Sequence, residues 1–144
     1  MNEYVAVGSL MEKHGIIRQP IRSYVDLIKI SREGLPVLAL TRLMQYLEIS
    51  PAELRWLMDM SQSTYQRRMK SKLLTTAESE RLVQLYQLIQ KGLEIFEDKE
   101  DFLDWLKSRN QALGDVKPME LLRSQLGMHE VSELLGRIEH GIYS

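Results

Sequence analysis

The sequence predicts an all-α fold, and three observations predict it. Apolar residues recur at helical spacing in every long periodic segment. Leu40, Leu43, Met44 and Leu47 fall at i, i+3, i+4 and i+7, and Leu82, Leu85, Tyr86, Ile89, Leu93 and Phe96 keep that spacing over four turns. No segment of useful length alternates apolar and polar residues as a half-buried strand would. Helix starts are also written locally: Ser50-Pro51-Ala52-Glu53 and Thr75-Thr76-Ala77-Glu78 are capping boxes, the first with proline at the first helical position.

In chain order the pattern predicts helices near 5–13, 22–32, 37–47, 51–58, 62–70, 76–97, 100–108, 118–126 and 129–139. Gly34-Leu35-Pro36 must end the second, because a proline disfavours helical geometry at the residue before it. Gly114 and Pro118 frame a loop and the start of a new helix, and Gly127 is read as the break between the last two. Val131, Leu134, Leu135 and Ile138 form the apolar stripe of the final helix, while Phe102 and Trp105 share one face earlier on. The long helix joins two parts, taken as domains 1–96 and 97–144.

Composition excludes several classes. With 144 residues, 44% hydrophobic and 27% charged, the chain is globular. The absence of cysteine removes disulfides, thiolate metal sites and a cysteine nucleophile, and fits a reducing, cytoplasmic location. Met1-Asn2-Glu3-Tyr4 does not open a signal peptide, and no stretch approaches the roughly 20 apolar residues of a membrane span, so no membrane partner is expected. Glu97, Asp98, Glu100, Asp101 and Asp104 read as a solvated acidic face with no histidine among them. His129 and His140 are three turns apart rather than one, so they are read as surface or interface residues. Without a Ser-His-Asp order or a glycine-rich phosphate loop, the enzyme reading is weak, and no catalytic residue, metal or cofactor is expected.

Charge is uneven. Residues 1–90 carry 12 Lys and Arg against 9 Asp and Glu, and residues 91–144 carry 7 against 11. The basic excess is local, since no acid lies between Asp59 and Glu78, a window that holds Arg67, Arg68, Lys70 and Lys72. On charge alone this is an ordinary solvated face. The order of elements adds to it: a capped two-turn helix ends near Asp59, a short turn follows, and a second helix presents Ser61, Gln62, Ser63, Thr64, Gln66, Arg67, Arg68 and Lys70. That is a helix-turn-helix pattern, whose second helix enters the major groove. Gln and Arg suit adenine and guanine edges, and Ser61 and Thr64 suit phosphates. Tyr65 and Met69 are then expected on the buried side, and Met60 replaces the glycine usual in such turns.

The run Phe102-Leu103-Asp104-Trp105-Leu106, then Asn110-Gln111-Ala112-Leu113-Gly114, then Pro118-Met119-Glu120-Leu121-Leu122, Gly127 and the tail Gly141-Ile142-Tyr143-Ser144 resembles the toxin-binding domain of the Xre/MbcA/ParS antitoxins. Gly34-Leu35-Pro36, Thr64–Arg68 and Glu78-Ser79-Glu80-Arg81-Leu82 stand where that family's Xre-like helix-turn-helix domain has comparable motifs, so the resemblance covers roughly residues 22–144. Asp115 stands where a second glycine is common and would stiffen the loop. Lys117 replaces a Ser/Thr helix cap, for which Asp115 is a candidate substitute.

The resemblance implies a protein partner and a mechanism. The partner is a RES-domain toxin that degrades NAD or transfers ADP-ribose. Its cleft would be occluded through Asn110, Leu113, Glu139, His140, Gly141, Ile142, Tyr143 and Ser144. A homodimer within a larger toxin–antitoxin complex would bind the pair's operator DNA and repress its own transcription. The alternative is a helix-turn-helix regulator whose C-terminal region dimerises or binds a ligand, and a neighbouring RES-domain reading frame separates the two.

Overall fold

The computed structural model describes residues 2–141, and among them finds α-helices and short turns but no strand. The chain divides into two compact units, Met1–Gln87 and Leu88–Ser144. The first holds α1 (Glu3–Lys13), α2 (Tyr24–Glu33), α3 (Leu38–Leu47), α4 (Pro51–Met58), α5 (Gln62–Met69) and most of α6 (Thr76–Ile95). Its core is the apolar periodicity made solid: Leu40, Leu43, Leu47, Leu54, Leu57 and Leu82 are all buried.

Side chains and backbone set the element ends. Asn2 Oδ1 accepts the Val5 N–H at 2.9 Å and starts α1. The Gly34-Leu35-Pro36 break behaves as expected, with Gly34 at φ 91° ending α2. Beyond it the chain pairs briefly with the loop before α6: Leu74 N–H donates to the Leu35 carbonyl at 2.8 Å and Val37 N–H to the Lys72 carbonyl at 3.0 Å. The Leu35 N–H donates to the buried Ser79 hydroxyl at 2.9 Å, so α6 grips the same corner.

The second unit comprises the last turns of α6, α7 (Lys99–Leu106), a 3-10 turn at Gln111–Leu113, α8 (Pro118–Leu121) and α9 (Gln125–Glu139). Packing places the division between Gln87 and Leu88, inside α6, whereas the sequence suggested 96/97. The reason is aromatic. Phe96 lies 5.7 Å from Phe102 and 5.6 Å from Trp105, ring centre to ring centre. A Cβ on Gly92 would come within 2.2 Å of the Phe102 ring, so α6 needs glycine where Phe102 inserts. Lys91 Nζ donates to the Ser132 carbonyl at 2.9 Å and ties α6 to α9.

Gly127 does not separate the last helices. It lies in the first turn of α9, where its N–H donates to the Ser124 hydroxyl at 2.9 Å. A Cβ there would sit 1.8 Å from the Leu121 carbonyl oxygen. The glycine is required by close approach of two backbones, a reason invisible to local sequence.

Candidate functional site

The first site is α5 and its supports. The Ser50 box forms in full: Ser50 Oγ accepts the Glu53 N–H at 3.2 Å and Glu53 Oε1 accepts the Ser50 N–H at 3.1 Å. α4 then closes at Asp59, which adopts φ 51°, ψ 48°, and Met60 is tucked inward at 9% exposure. The left-handed residue of this turn is therefore Asp59, one position before Met60. Asp is among the few residues besides glycine that tolerate it.

Ser61 caps α5, accepting the Thr64 N–H at 3.1 Å and donating to the Thr64 hydroxyl at 3.0 Å. Arg67 Nη2 also donates to that hydroxyl at 3.2 Å. Ser61 and Thr64 thus build the helix start. Gln62, Ser63, Gln66, Arg67 and Lys70 are exposed along it. Two expectations need correction. Met69 is 41% exposed, and no residue of α5 is fully buried; Tyr65 is half-buried beneath the Arg55 guanidinium, 5.9 Å from its ring centre. Arg68, expected among the DNA-facing residues, donates through Nε to both oxygens of Glu78 at 2.7 and 2.9 Å, and its side chain is 21% exposed. It anchors α5 to α6.

Glu78 also accepts the Thr75 N–H at 2.9 Å, which caps α6. Burial alone would raise its carboxyl. The Arg68 guanidinium and the Thr75 hydrogen bonds outweigh burial and hold it below the usual carboxylate range. Arg81 Nε completes the frame by donating to the Leu57 carbonyl at 2.7 Å.

The second site is the end of the chain and the loop before α8. Asn110 is a loop latch. Its Oδ1 accepts the Ala112 N–H at 2.9 Å, and its carbonyl accepts the Leu113 and Asp115 N–H groups at 3.1 and 2.9 Å. Its side-chain oxygen thus caps the 3-10 turn and shapes the loop. Leu113 is half-buried. Gly114 and Asp115 are consecutive left-handed residues, at φ 77° and 64°, which explains why glycine suits the second position. Lys117 at the N-cap of α8 makes no side-chain capping bond, and the Asp115 carbonyl accepts from Arg109 at 3.1 Å.

Met128, Val131, Leu134 and Leu135 are buried along α9. Glu139, His140 and Gly141 are exposed past that stripe. Gly141 takes φ 73°, so the backbone leaves the helix there. Ile142, Tyr143 and Ser144 lie outside the described residues. One surface residue was missed: Leu126, 82% exposed in the first turn of α9. Its signal was present, because position 126 lies off the stripe of Val131, Leu134, Leu135 and Ile138.

Among the described residues no three His, Asp or Glu side chains gather as a metal site, and no helix is long and apolar enough to cross a membrane. Residues 91–141 match the Antitoxin Xre/MbcA/ParS C-terminal toxin-binding domain, and residues 26–85 match the Antitoxin Xre-like helix-turn-helix domain. An "Antitoxin Xre" from Photorhabdus laumondii is 31% identical over 127 residues, covering 87% of this chain and 86% of that one. The chain belongs to the Xre antitoxin family. A second "Antitoxin Xre", from Yersinia enterocolitica, is 33% identical over 85 residues, covering 58% of this chain and 57% of that one. Within this Xre-family chain, α4 and α5 fall in the helix-turn-helix region and the Asn110 loop and α9 in the toxin-binding region.

Proposed function

We propose that this Xre-family protein neutralises a RES-domain toxin, one that degrades NAD or transfers ADP-ribose, by covering its active-site cleft, and that it represses its own operator as a homodimer. The observation that carries the reading is the toxin-binding match at 91–141, which ends where α9 gives way to Gly141. The chain beyond the helix, Ile142-Tyr143-Ser144, supplies an apolar side chain and a ring with a polar tip, the chemistry a dinucleotide cleft accepts. Glu139, His140 and exposed Leu126 serve as further contacts, as does half-buried Leu113 in the loop before α8. The acidic balance of residues 91–144 complements a cleft built for an anionic dinucleotide.

Operator reading falls to Gln62, Ser63, Gln66 and Arg67, and backbone contact to Lys70. Paired modules in a dimer would take half-sites about one DNA turn apart. The protein acts by binding in the cytoplasm and carries no cofactor or catalytic group in this reading.

Co-expression with the product of the adjacent reading frame tests it. The expected result is a co-purifying complex that no longer consumes NAD or transfers ADP-ribose. A neighbour without a RES domain, and no complex with one supplied, would overturn the toxin assignment and favour a plain regulator.

A further inference from the structure

We propose that an open depression on the first unit, between the end of α1 and one face of α3, binds a phosphate group. It measures about 460 Å3 and is lined by Lys13, His14, Gly15, Arg42, Gln45 and Tyr46, with no carboxylate among them. Arg42, Gln45 and Tyr46 stand at i, i+3 and i+4, so one face of α3 presents a guanidinium, a carboxamide and a phenol side by side. Among the described residues the side chains of Lys13, Arg42 and Gln45 make no hydrogen bond or ion pair, and all three are exposed. Two cations and an amide, unpaired and facing one hollow, match a ligand with several anionic acceptors.

The wall behind them is preset. His14 Nδ1 and the Tyr86 hydroxyl are hydrogen-bonded at 2.7 Å, and the His14 ring packs 4.5 Å from that of Tyr46. Lys13 lies in the last turn of α1, where a cation suits the negative helix end, and Arg42 and Gln45 reach the same hollow from another helix. Two carbonyls of the last turn of α1 are occupied, Glu12 by the Gly15 N–H at 2.9 Å and Met11 by the Ile16 N–H at 3.0 Å, which lowers their repulsion of an anion.

Two sources offer a phosphate group, the backbone of a DNA duplex and a free phosphorylated small molecule. The DNA source rests on the helix-turn-helix reading. Only Glu48–Ser50 separate α3 from α4, the helix that crosses the backbone in this motif.

The test compares the full-length wild type with a Lys13→Gln/Arg42→Gln variant, after circular dichroism confirms equal helix content. Each is titrated with a random-sequence DNA duplex of about two turns, from about 50 to about 200 mM salt. Each is also titrated with inorganic phosphate, read by NMR at the Gln45 side-chain amide and the His14 ring. A roughly tenfold loss of duplex affinity in the variant, with a log–log salt slope shallower by about 2, supports the site and assigns it to DNA backbone. Unchanged duplex binding, with phosphate shifts in the wild type that vanish in the variant, supports the site and assigns it to a free phosphate. No difference with either probe overturns it. Arg67→Ala with the chain's own upstream DNA tests the helix-turn-helix reading separately. A loss there, beside an inert double variant, overturns this inference and leaves that reading intact.

Discussion

α5 and α9 are attached to the protein in opposite ways. α5 has no fully buried residue and is held by polar anchors: the Ser61 cap, Arg68 on Glu78 and Tyr65 beneath Arg55. α9 is held by Met128, Val131, Leu134 and Leu135, all buried, and by the close pass of Gly127 against Leu121. A helix secured by a few polar contacts keeps nearly all its surface for a partner, at the cost of sensitivity to charge and pH. A helix secured by an apolar stripe is insensitive to both, so its free chemistry is displaced to its ends, at Leu126 and beyond Ile138.

The largest effect that would sharpen this contrast is at the C-terminal end. Deleting Gly141–Ser144, or Tyr143→Asp, should abolish toxin neutralisation while the melting temperature and DNA binding stay near wild type. A truncation that melts earlier would show instead that the tail completes the core. One that is stable and fully inhibitory would remove it from the mechanism.

Next comes Gly127→Ala, which forces a Cβ against the Leu121 carbonyl and should destabilise the second unit by about 3 kcal/mol or more in urea unfolding. Arg67→Ala or Gln66→Ala should weaken operator binding by about 1–3 kcal/mol and relax its sequence preference, with neutralisation intact. If DNA affinity measured by anisotropy does not change, the basic face is merely solvated.

Glu78→Gln should cost about 1–2 kcal/mol by leaving Arg68 without its counter-charge. The sign of its pH dependence follows from a carboxyl held low in the fold: its stabilisation is present above the unfolded value of about 4.3 and is lost as pH falls through the folded value. Acid titration of stability should therefore be flatter in the variant than in the wild type. The smallest change is Leu126→Ser, expected to move stability by less than about 0.5 kcal/mol while lowering toxin affinity; an unchanged dissociation rate would leave Leu126 outside the contact.

Much of this was legible one helical turn at a time. Ser50-Pro51-Ala52-Glu53 sets the start of α4 because donor, acceptor and proline lie within four residues. The stripes along α3, α6 and α9 foretold an all-α fold because each helix must bury one face, and the paired motifs placed the chain in its family. The sequence by itself thus determined the helical periodicity, the Ser50 and Thr75 caps and the kinds of partner to look for. Tertiary structure alone decided which side chains remained available. It sent Arg68 to Glu78, left Met69 in solvent and Asn110 inside its own loop, and put Gly127 under a neighbouring carbonyl. It also gave the last turns of α6 to Phe102 and Trp105. Caps and periods are satisfied by residues within a few positions, whereas a charge, an amide or a missing Cβ takes its role from whatever the fold brings beside it.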